Sequence, residues 1–477
     1  MYANPIARRH FLRQLSTGLS GVALAWMFDR EARVLASTSP LAQRTLGLPH
    51  YAPKARRVLH ICACGGVSHV DTYDYKPELA RLDGQELTTK GKIDTFFGRP
   101  GRIMKSPFTF QQHGQSGLWM SDLLPHLSQC VDDITFIYSM HAKTFNHTPA
   151  TFLMNSGFAM NGFPCAGAWL SYGLGTENED LPAYVVLPDP RQLPAGGSIN
   201  WTSGFLPAVH QGVALRTSGD PITDLATPAS VSPAQRQASM KALDRMNREF
   251  AEANSDETAL AARIRSYELA ARMQLSVPET VRLDNETPST KKLYGMDETT
   301  TAGFGRNCLL ARRLLERGVR FVQLFHGGAF GSPRINWDGH ENVLDNHTRQ
   351  ASSMDKPVAA LLKDLKARGM LEDTLVLWTT EFGRTPITEG IGAKGRDHHP
   401  HCFTVWMAGA GLKPGFGYGQ SDEVGYYVAE NPVQVYDFYA TVLHLLGIDH
   451  EKLTFYHNGI QRRLTDVHGQ VVKDILA

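Results

Sequence analysis

The sequence lacks an excess of charge of either sign. Its 477 residues include 48 Lys and Arg and 47 Asp and Glu, so the formal net charge is +1. A chain with this balance creates no long-range field that would gather DNA, RNA or an acidic membrane surface. Nucleic acid is therefore not expected among its partners.

Cysteine and long apolar segments are also scarce. The six cysteines are scattered and form no C-x-x-C pair, which argues against a disulfide framework or a zinc knuckle. Cys62 and Cys64 lie two apart on a predicted strand, so both should face one side of it and pack rather than bridge. The N-terminal apolar run from Leu15 to Phe28 is shorter than the ~20 residues that span a bilayer. No integral membrane span is expected in the mature protein.

The N-terminus carries a targeting pattern. Arg8-Arg9-His10-Phe11-Leu12, followed by that mildly apolar run, resembles a twin-arginine export signal over residues 1–36. The alternative is an amphipathic N-terminal helix. The resemblance implies a periplasmic or extracellular protein, held at the membrane if the signal is not cleaved.

Short apolar runs alternate with helical patterns along the rest of the chain. Runs without alternation favour a parallel sheet that is covered on both faces, and the alternation of strands with helices predicts a doubly wound α/β domain over 50–477. The predicted strands are Val58–Cys64, Ile134–Tyr138, Ala183–Leu187, Phe321–Phe325 and Thr374–Trp378, and helices are predicted at Arg306–Gly318 and Met354–Gly369. A capping box at Ser232 and Gln235 begins a helical insertion over about 225–300.

Two histidine-containing segments offer metal ligands. Gly395–His401 holds three imidazoles and a carboxylate, and His399 and His401 would share a face if this segment is extended. Asp338 and His340 are also two apart and can point the same way. The alternative for Asp338 is that it caps a helix that begins near Glu341.

Three further segments contribute polar side chains after predicted strands. Glu381 could serve as a ligand or base, and Arg384 as a clamp for the anionic oxygens of a phosphate or sulfate group. Asp71 lies in the glycine-rich loop after the first strand. Thr148 is predicted to cap a helix whose first residue is Pro149, and the Thr148 hydroxyl or the His147 imidazole could attack an ester there.

Four of these segments, in this order, carry a family resemblance. Gly65–Thr72, Asn336–His340, Thr379–Thr385 and Gly395–Pro400 resemble the exported bacterial proteins of domain of unknown function family 1501, which are grouped with the alkaline phosphatase and sulfatase superfamily. The resemblance covers nearly the whole chain. It implies an alkaline-phosphatase-like three-layer α/β/α sandwich with a mainly parallel sheet.

The same resemblance implies a site with one or two divalent metal ions, zinc, manganese or calcium. Asp338 with His340 is similar to the Asp/His pair of the superfamily, Glu381 stands where Asp is usual, and His399 or His401 is similar to the final ligand. Cys64 and Gly65 occupy the position of the first-strand Asp, and Asp71 lies farther on in this loop. The nucleophile falls on His147 or Thr148.

These observations leave two main hypotheses for function. The first is an exported metal-dependent hydrolase of phosphate or sulfate esters that acts on a small anionic ester or a glycan. The chain lacks the Cys- or Ser-x-Pro-x-Arg sequence that formylglycine sulfatases need, which argues against an ordinary sulfatase. The second is a non-catalytic envelope or secretion-associated binding protein on the same fold. A purely structural metal is a third reading, in which chelation would unfold the protein.

Overall fold

The computed structural model describes residues 48–477, except 89–92, 97, 179, 217–229, several positions of 233–250, 251–279, 330 and 332. The predicted export signal and most of the predicted helical insertion lie outside the described residues. Within the described part, Gln235 N donates to Ser232 Oγ (3.2 Å) and Ser232 N donates to Gln235 Oε1 (3.0 Å), which confirms the predicted capping box. The insertion itself stays a prediction.

Strands and helices are numbered along the chain. The strands are β1 (Arg57–Ala63), β2 (Phe110–His113), β3 (Leu118–Ser121), β4 (Ile134–His141), β5 (Tyr184–Leu187), β6 (Val213–Ala214), β7 (Phe321–His326), β8 (Thr374–Thr379), β9 (Gly383–Thr388), β10 (Arg396–His399), β11 (Phe403–Ala408), β12 (Phe416–Tyr418), β13 (Gln420–Ser421), β14 (Val428–Glu430), β15 (Val433–Gln434), β16 (Phe455–His457) and β17 (Ile460–Arg462). The α-helices are α1 (His69–Thr72), α2 (Pro77–Arg81), α3 (His147–Ser156), α4 (Ala166–Leu174), α5 (Pro288–Leu293), α6 (Ala302–Glu316), α7 (Val343–Ala367) and α8 (Val435–Leu445).

Among the described residues, nine strands form the central sheet. Their order is β12-β4-β11-β8-β1-β7-β5-β6, and β15 also pairs with β4. β1 is parallel to both β7 and β8, and β5 is parallel to β7 and β6. β11 is antiparallel to both of its neighbours, β4 and β8. The predicted mainly parallel sheet and its five predicted strands are confirmed. β6, β11, β12 and β15 were not predicted, and of these β11 lies antiparallel between β4 and β8.

Helices cover both faces of this sheet. Alternate side chains of β1 enter two separate cores: Leu59 and Ile61 pack with residues of α6 and α7, whereas Val58 and Cys62 pack with residues of α4 and α8. The described residues therefore form the predicted three-layer α/β/α sandwich. Cys62 and Cys64 lie in the same core as predicted, with free thiols whose sulfurs are 3.7 Å apart.

The beginnings of two helices differ from the sequence prediction. Asn342, not Asp338, caps α7, because the Asn342 side chain accepts from Asp345 N (3.3 Å). α3 begins at His147, since Ala150 N already donates to Asn146 O (2.9 Å). Thr148 therefore lies in the first turn of α3 and is not the N-cap. Pro149 is not the first residue of this helix. Asp338 is left available for another role.

Among the helices of the described residues, none combines the length and the apolar composition that crossing a bilayer requires.

Candidate metal centre

The carboxyl ends of several strands meet at one edge of the sheet, and the candidate site lies there. β1, β7 and β8 run in one direction, and β4 shares it because β11 is antiparallel to both β4 and β8. Gly65 follows β1, Glu381 follows β8, and His147 begins the helix that follows β4. Crevices at such carboxyl ends are where open α/β sheets hold ligands.

Gly65 brings the segment around Asp338 against β1. Its φ is +116°, and a Cβ built on it would lie 2.4 Å from Trp337 N. Trp337 N donates to Cys64 O (2.9 Å), and Gly65 N donates to Glu381 Oε1 (2.8 Å). A side chain at Gly65 would have to push these two segments apart, so glycine is needed for this close approach.

The β9–β10 hairpin supplies two more residues. In its antiparallel register His398 is opposite Arg384, with a bulge between Arg396 and His398. Side chains that are opposite each other in such a pair lie on the same face of the ribbon. Both therefore reach the same place at the sheet edge.

Four donor atoms converge at this edge. They are His147 Nε2, Asp338 Oδ1, His340 Nε2 and His398 Nε2, and all lie within 4.8 Å of one another. The carboxylate oxygen is central, at 2.8 Å from the Nε2 of His340 and 3.3 Å from the Nε2 of both His147 and His398. Three of the residues are buried, and only the His147 side chain, at 23% exposure, connects the cluster with solvent.

Two of the imidazoles are oriented by carboxylates. His147 Nδ1 lies 2.8 Å from Glu381 Oε1, and His340 Nδ1 lies 2.6 Å from Glu389 Oε2. Because an ionised carboxylate only accepts hydrogen bonds, each Nδ1 donates its hydrogen to the carboxylate, and Nε2 is the atom that each imidazole turns toward the centre. This carboxylate–histidine arrangement is the one that metal-binding histidines usually have.

The electrostatics of the cluster favour an ionised carboxylate and a neutral His398. Burial alone would raise the pKa of Asp338, but the Arg384 guanidinium and the contacts with the three imidazoles hold that pKa far below its usual range. Burial, with the nearby Arg384 charge, lowers the pKa of His398 to about 2. Burial also opposes the charged form of His147, but its contacts with Asp338 and Glu381 raise its pKa overall.

The donor set fits a divalent metal ion. His147 Nε2 is buried and makes no hydrogen bond of good geometry, although Asp338 Oδ1 is near. The Nε2 atoms of His340 and His398 are 2.9 Å apart, so two nitrogens compete for one proton. Three imidazoles and one carboxylate suit zinc or manganese. Calcium, which prefers six to eight oxygen ligands, suits this set poorly.

Arg384 is buried beside the cluster but has no hydrogen left for a substrate. Its five N–H groups are shared among Gly66 O, Gly65 O, Arg396 O, Asp338 Oδ1 and His340 Nε2. A guanidinium has five donors in all. The predicted role of Arg384 as an anion clamp is therefore corrected: this guanidinium binds the protein itself.

Three residues predicted as ligands do not face the four donors. Asp71 pairs with Arg396 (2.7 Å) in full burial; burial would raise its pKa, but Arg396 holds that pKa below its usual value. His399 Nε2 lies 2.5 Å from Tyr426 O, and His401 Nε2 lies 3.0 Å from Asp94 Oδ2. Since neighbouring residues of β10 point to opposite faces, His398 faces the cluster and His399 cannot.

The structure thus brings together His147, Asp338, His340, Glu381 and Arg384 among the predicted site residues. Glu381 orients His147 instead of joining the four donors. Thr148 is half-buried next to His147, and its role as a nucleophile stays a prediction. Sequence reasoning missed His398 as the histidine of its loop that faces the cluster and Glu389 as the partner of His340, and no pattern in the sequence distinguished either.

Fold and site together define a class of protein, an α/β/α sandwich with a buried histidine–aspartate cluster at the carboxyl edge of its sheet. The chain belongs to the family described as "Protein of unknown function (DUF1501)", whose model matches residues 55–476. This confirms the family resemblance stated above. No curated protein matches the chain.

Several solved structures are similar to the chain at low identity. The lipoteichoic acid synthase LtaP from Listeria monocytogenes is 10% identical, with 89% of this chain and 80% of that chain covered and a TM-score of 0.36. The PsFucS1 sulfatase from Pseudoalteromonas sp. is 12% identical, with coverage of 91% and 78% and a TM-score of 0.34. An alkaline phosphatase from the Antarctic bacterium TAB5 is 12% identical, with coverage of 77% and 94% and a TM-score of 0.31.

Proposed function

We propose that this protein is a metal-dependent hydrolase of phosphate or sulfate esters that acts outside the cytoplasm after export. The observation that carries the proposal is the convergence of four metal-type donors on one buried point, two of them oriented by carboxylates. The ester class rests on the superfamily resemblance of the sequence, and export rests on the N-terminal arginine pair. A small anionic ester or a glycan ester is the proposed substrate.

Some residues would hold the ion, others orient the imidazoles, and others shield the cluster from water. His147, His340, His398 and Asp338 would hold the ion, which when bound supplies a Lewis acid for an ester oxygen. Glu381 and Glu389 keep the Nδ1 hydrogens of two imidazoles in place, so that Nε2 is the atom that each imidazole would offer to an ion.

Aromatic rings shield the cluster from water. Phe382 lies 5.0 Å from His147 and 4.6 Å from His398, and Phe96 lies 4.5 Å from His398, measured between ring centroids. Apolar walls strengthen each electrostatic interaction inside them. A substrate would reach the cluster from the solvent side of His147, where the hydroxyl of Thr148 is the proposed nucleophile.

A non-catalytic binding protein is the second candidate, and one observation favours it. Arg384 spends all five of its N–H groups on protein acceptors, so the cluster lacks the anion clamp that its sequence suggested. A protein that binds a metal or a glycan would not need such a clamp. Turnover separates the two candidates.

The test combines metal content with turnover. The exported protein is purified, its metals are measured, and the hydrolysis of aryl phosphate monoesters, aryl phosphate diesters and aryl sulfates is followed with and without chelator. We expect near-stoichiometric metal and chelator-sensitive turnover, with both lost in His340→Ala and His398→Ala.

His401→Ala is the matched control, because this imidazole is in the same segment but pairs with Asp94 away from the cluster. It should keep both metal and turnover. A well-folded protein that holds metal but hydrolyses none of these esters would favour the binding protein, and a folded protein without metal would refute the centre itself.

A further inference from the structure

The Arg384 guanidinium is a fixed positive charge in contact with the central oxygen of the cluster. Its Nη2 donates to Asp338 Oδ1 at 2.5 Å, and its side chain is fully buried. We propose that Arg384 is a permanent cation that takes the place of a second metal ion, so that the cluster binds one divalent ion per chain. This inference rests on the proposed metal binding and states its stoichiometry.

Arg384 is held too firmly to move aside for an ion. Nε donates to Gly66 O (2.8 Å), Nη1 donates to Arg396 O (3.2 Å), and Nη2 also donates to Gly65 O. These backbone carbonyls belong to the loop after β1 and to β10. Moving the guanidinium would leave buried acceptors without donors, which is costly.

The second oxygen of Asp338 is also occupied, but by a looser group. Arg334 pairs with Asp338 Oδ2 and with Glu341, and its side chain is 35% exposed. A carboxylate that bridges two metal ions needs one oxygen for each ion. Arg384, which contacts Oδ1 whether or not Arg334 is present, leaves Asp338 with room for one ion only, at the imidazole side of Oδ1.

A neighbouring group of possible ligands is committed to internal hydrogen bonds. His340, Glu389 and Asp397 form a second set with donor atoms within 4.8 Å of one another. However, the two oxygens of Asp397 accept from the backbone N–H groups of His398 and Phe96, each at 2.7 Å, and Glu389 accepts from His340 Nδ1. The ligand atoms of this set are therefore already engaged in hydrogen bonds and do not form a site for a second ion.

The experiment counts zinc ions per chain. Chelator-stripped full-length protein is titrated with zinc in a calorimeter, and elemental analysis after dialysis gives an independent count. We expect one ion for the wild type and one for Arg334→Gln, the matched control that removes the exposed guanidinium from the same carboxylate. Arg384→Gln should either bind a second ion or bind the first at least ~10-fold more tightly, because a neighbouring positive charge is gone.

Two ions per chain in the wild type or in Arg334→Gln would overturn the inference, and these proteins decide the question even if Arg384→Gln does not fold. An Arg384→Gln protein that folds by circular dichroism and binds one ion with unchanged affinity would overturn it as well. A count of two ions per chain would still be compatible with the proposed hydrolase. A folded wild-type protein that binds no ion would contradict both proposals.

Discussion

Replacing Glu381 with Gln should weaken metal binding and leave the fold intact. Glu381 Oε1 accepts from both His147 Nδ1 and Gly65 N, each at 2.8 Å. A Gln oxygen can keep both contacts, but it lacks the charge that makes the bond to the imidazole about twice as strong as a neutral one. Loss of such an outer partner typically costs about 10- to 100-fold in metal affinity, or ~1.4–2.7 kcal/mol.

The assay is a competition titration of zinc against a chelating dye, with thermal unfolding of the metal-free protein alongside. Alanine at Glu381 would be a poorer choice, because Gly65 N would then be buried without an acceptor, at a cost of about 1–3 kcal/mol in stability. Glu389→Gln is the matched comparison on His340; since the Glu389 side chain is 17% exposed, water can replace part of its contact and the loss should be smaller. Unchanged affinity in a folded Glu381→Gln protein, with affinity lost in His147→Ala, would refute the orienting role.

Three further predictions concern stability. Zinc at 100 times its dissociation constant should raise the free energy of unfolding by about 2.7 kcal/mol. Calorimetry should show that this gain is lost in His398→Ala and kept in His401→Ala. An equal gain in both variants would contradict the assigned ligands. Gly65→Ala should lose at least about 1–3 kcal/mol in urea unfolding from its positive φ alone, because a Cβ also meets Trp337 N; no loss would contradict the close approach. Asp189 accepts from Gly327 N (2.7 Å) and from Arg191, which holds its pKa below the usual value against the effect of burial. Its contribution to stability is therefore present above the unfolded pKa of about 3.9 and lost as pH falls through the lower folded pKa; the stability deficit of Asp189→Asn should be seen at pH 7 and shrink in acid, and a deficit that grows in acid would contradict this sign.

The fold was largely predictable because its strands are short, apolar and nearly uniform. Such runs identify the inner strands of a covered parallel sheet, and each predicted strand agrees with an observed one within a few residues. β11 was missed although Phe403–Ala408 is equally apolar. Its antiparallel position between β4 and β8 depends on long-range pairing, which local sequence does not encode.

The site was predictable in its segments but not in its individual ligands. Asp338 and His340 were predicted correctly as neighbours because a spacing of two places both on one face of an extended segment. The same rule favoured His399 and His401 in the 395–401 loop, and this choice was wrong. The pairing of His398 with Arg384 across the β9–β10 hairpin places His398 at the cluster instead. The hydrogen bonds of Arg384 could not be predicted, because its partners are backbone carbonyls and side chains from separate parts of the chain.

The donors of the cluster come from three separate parts of the chain: the start of α3, the loop between β7 and α7, and strand β10. An ion bound there would link these three parts to one another through its bonds to their side chains. Unfolding of the native domain would then have to break these bonds, so the lifetime of the folded state should be longer with zinc bound than in the metal-free protein.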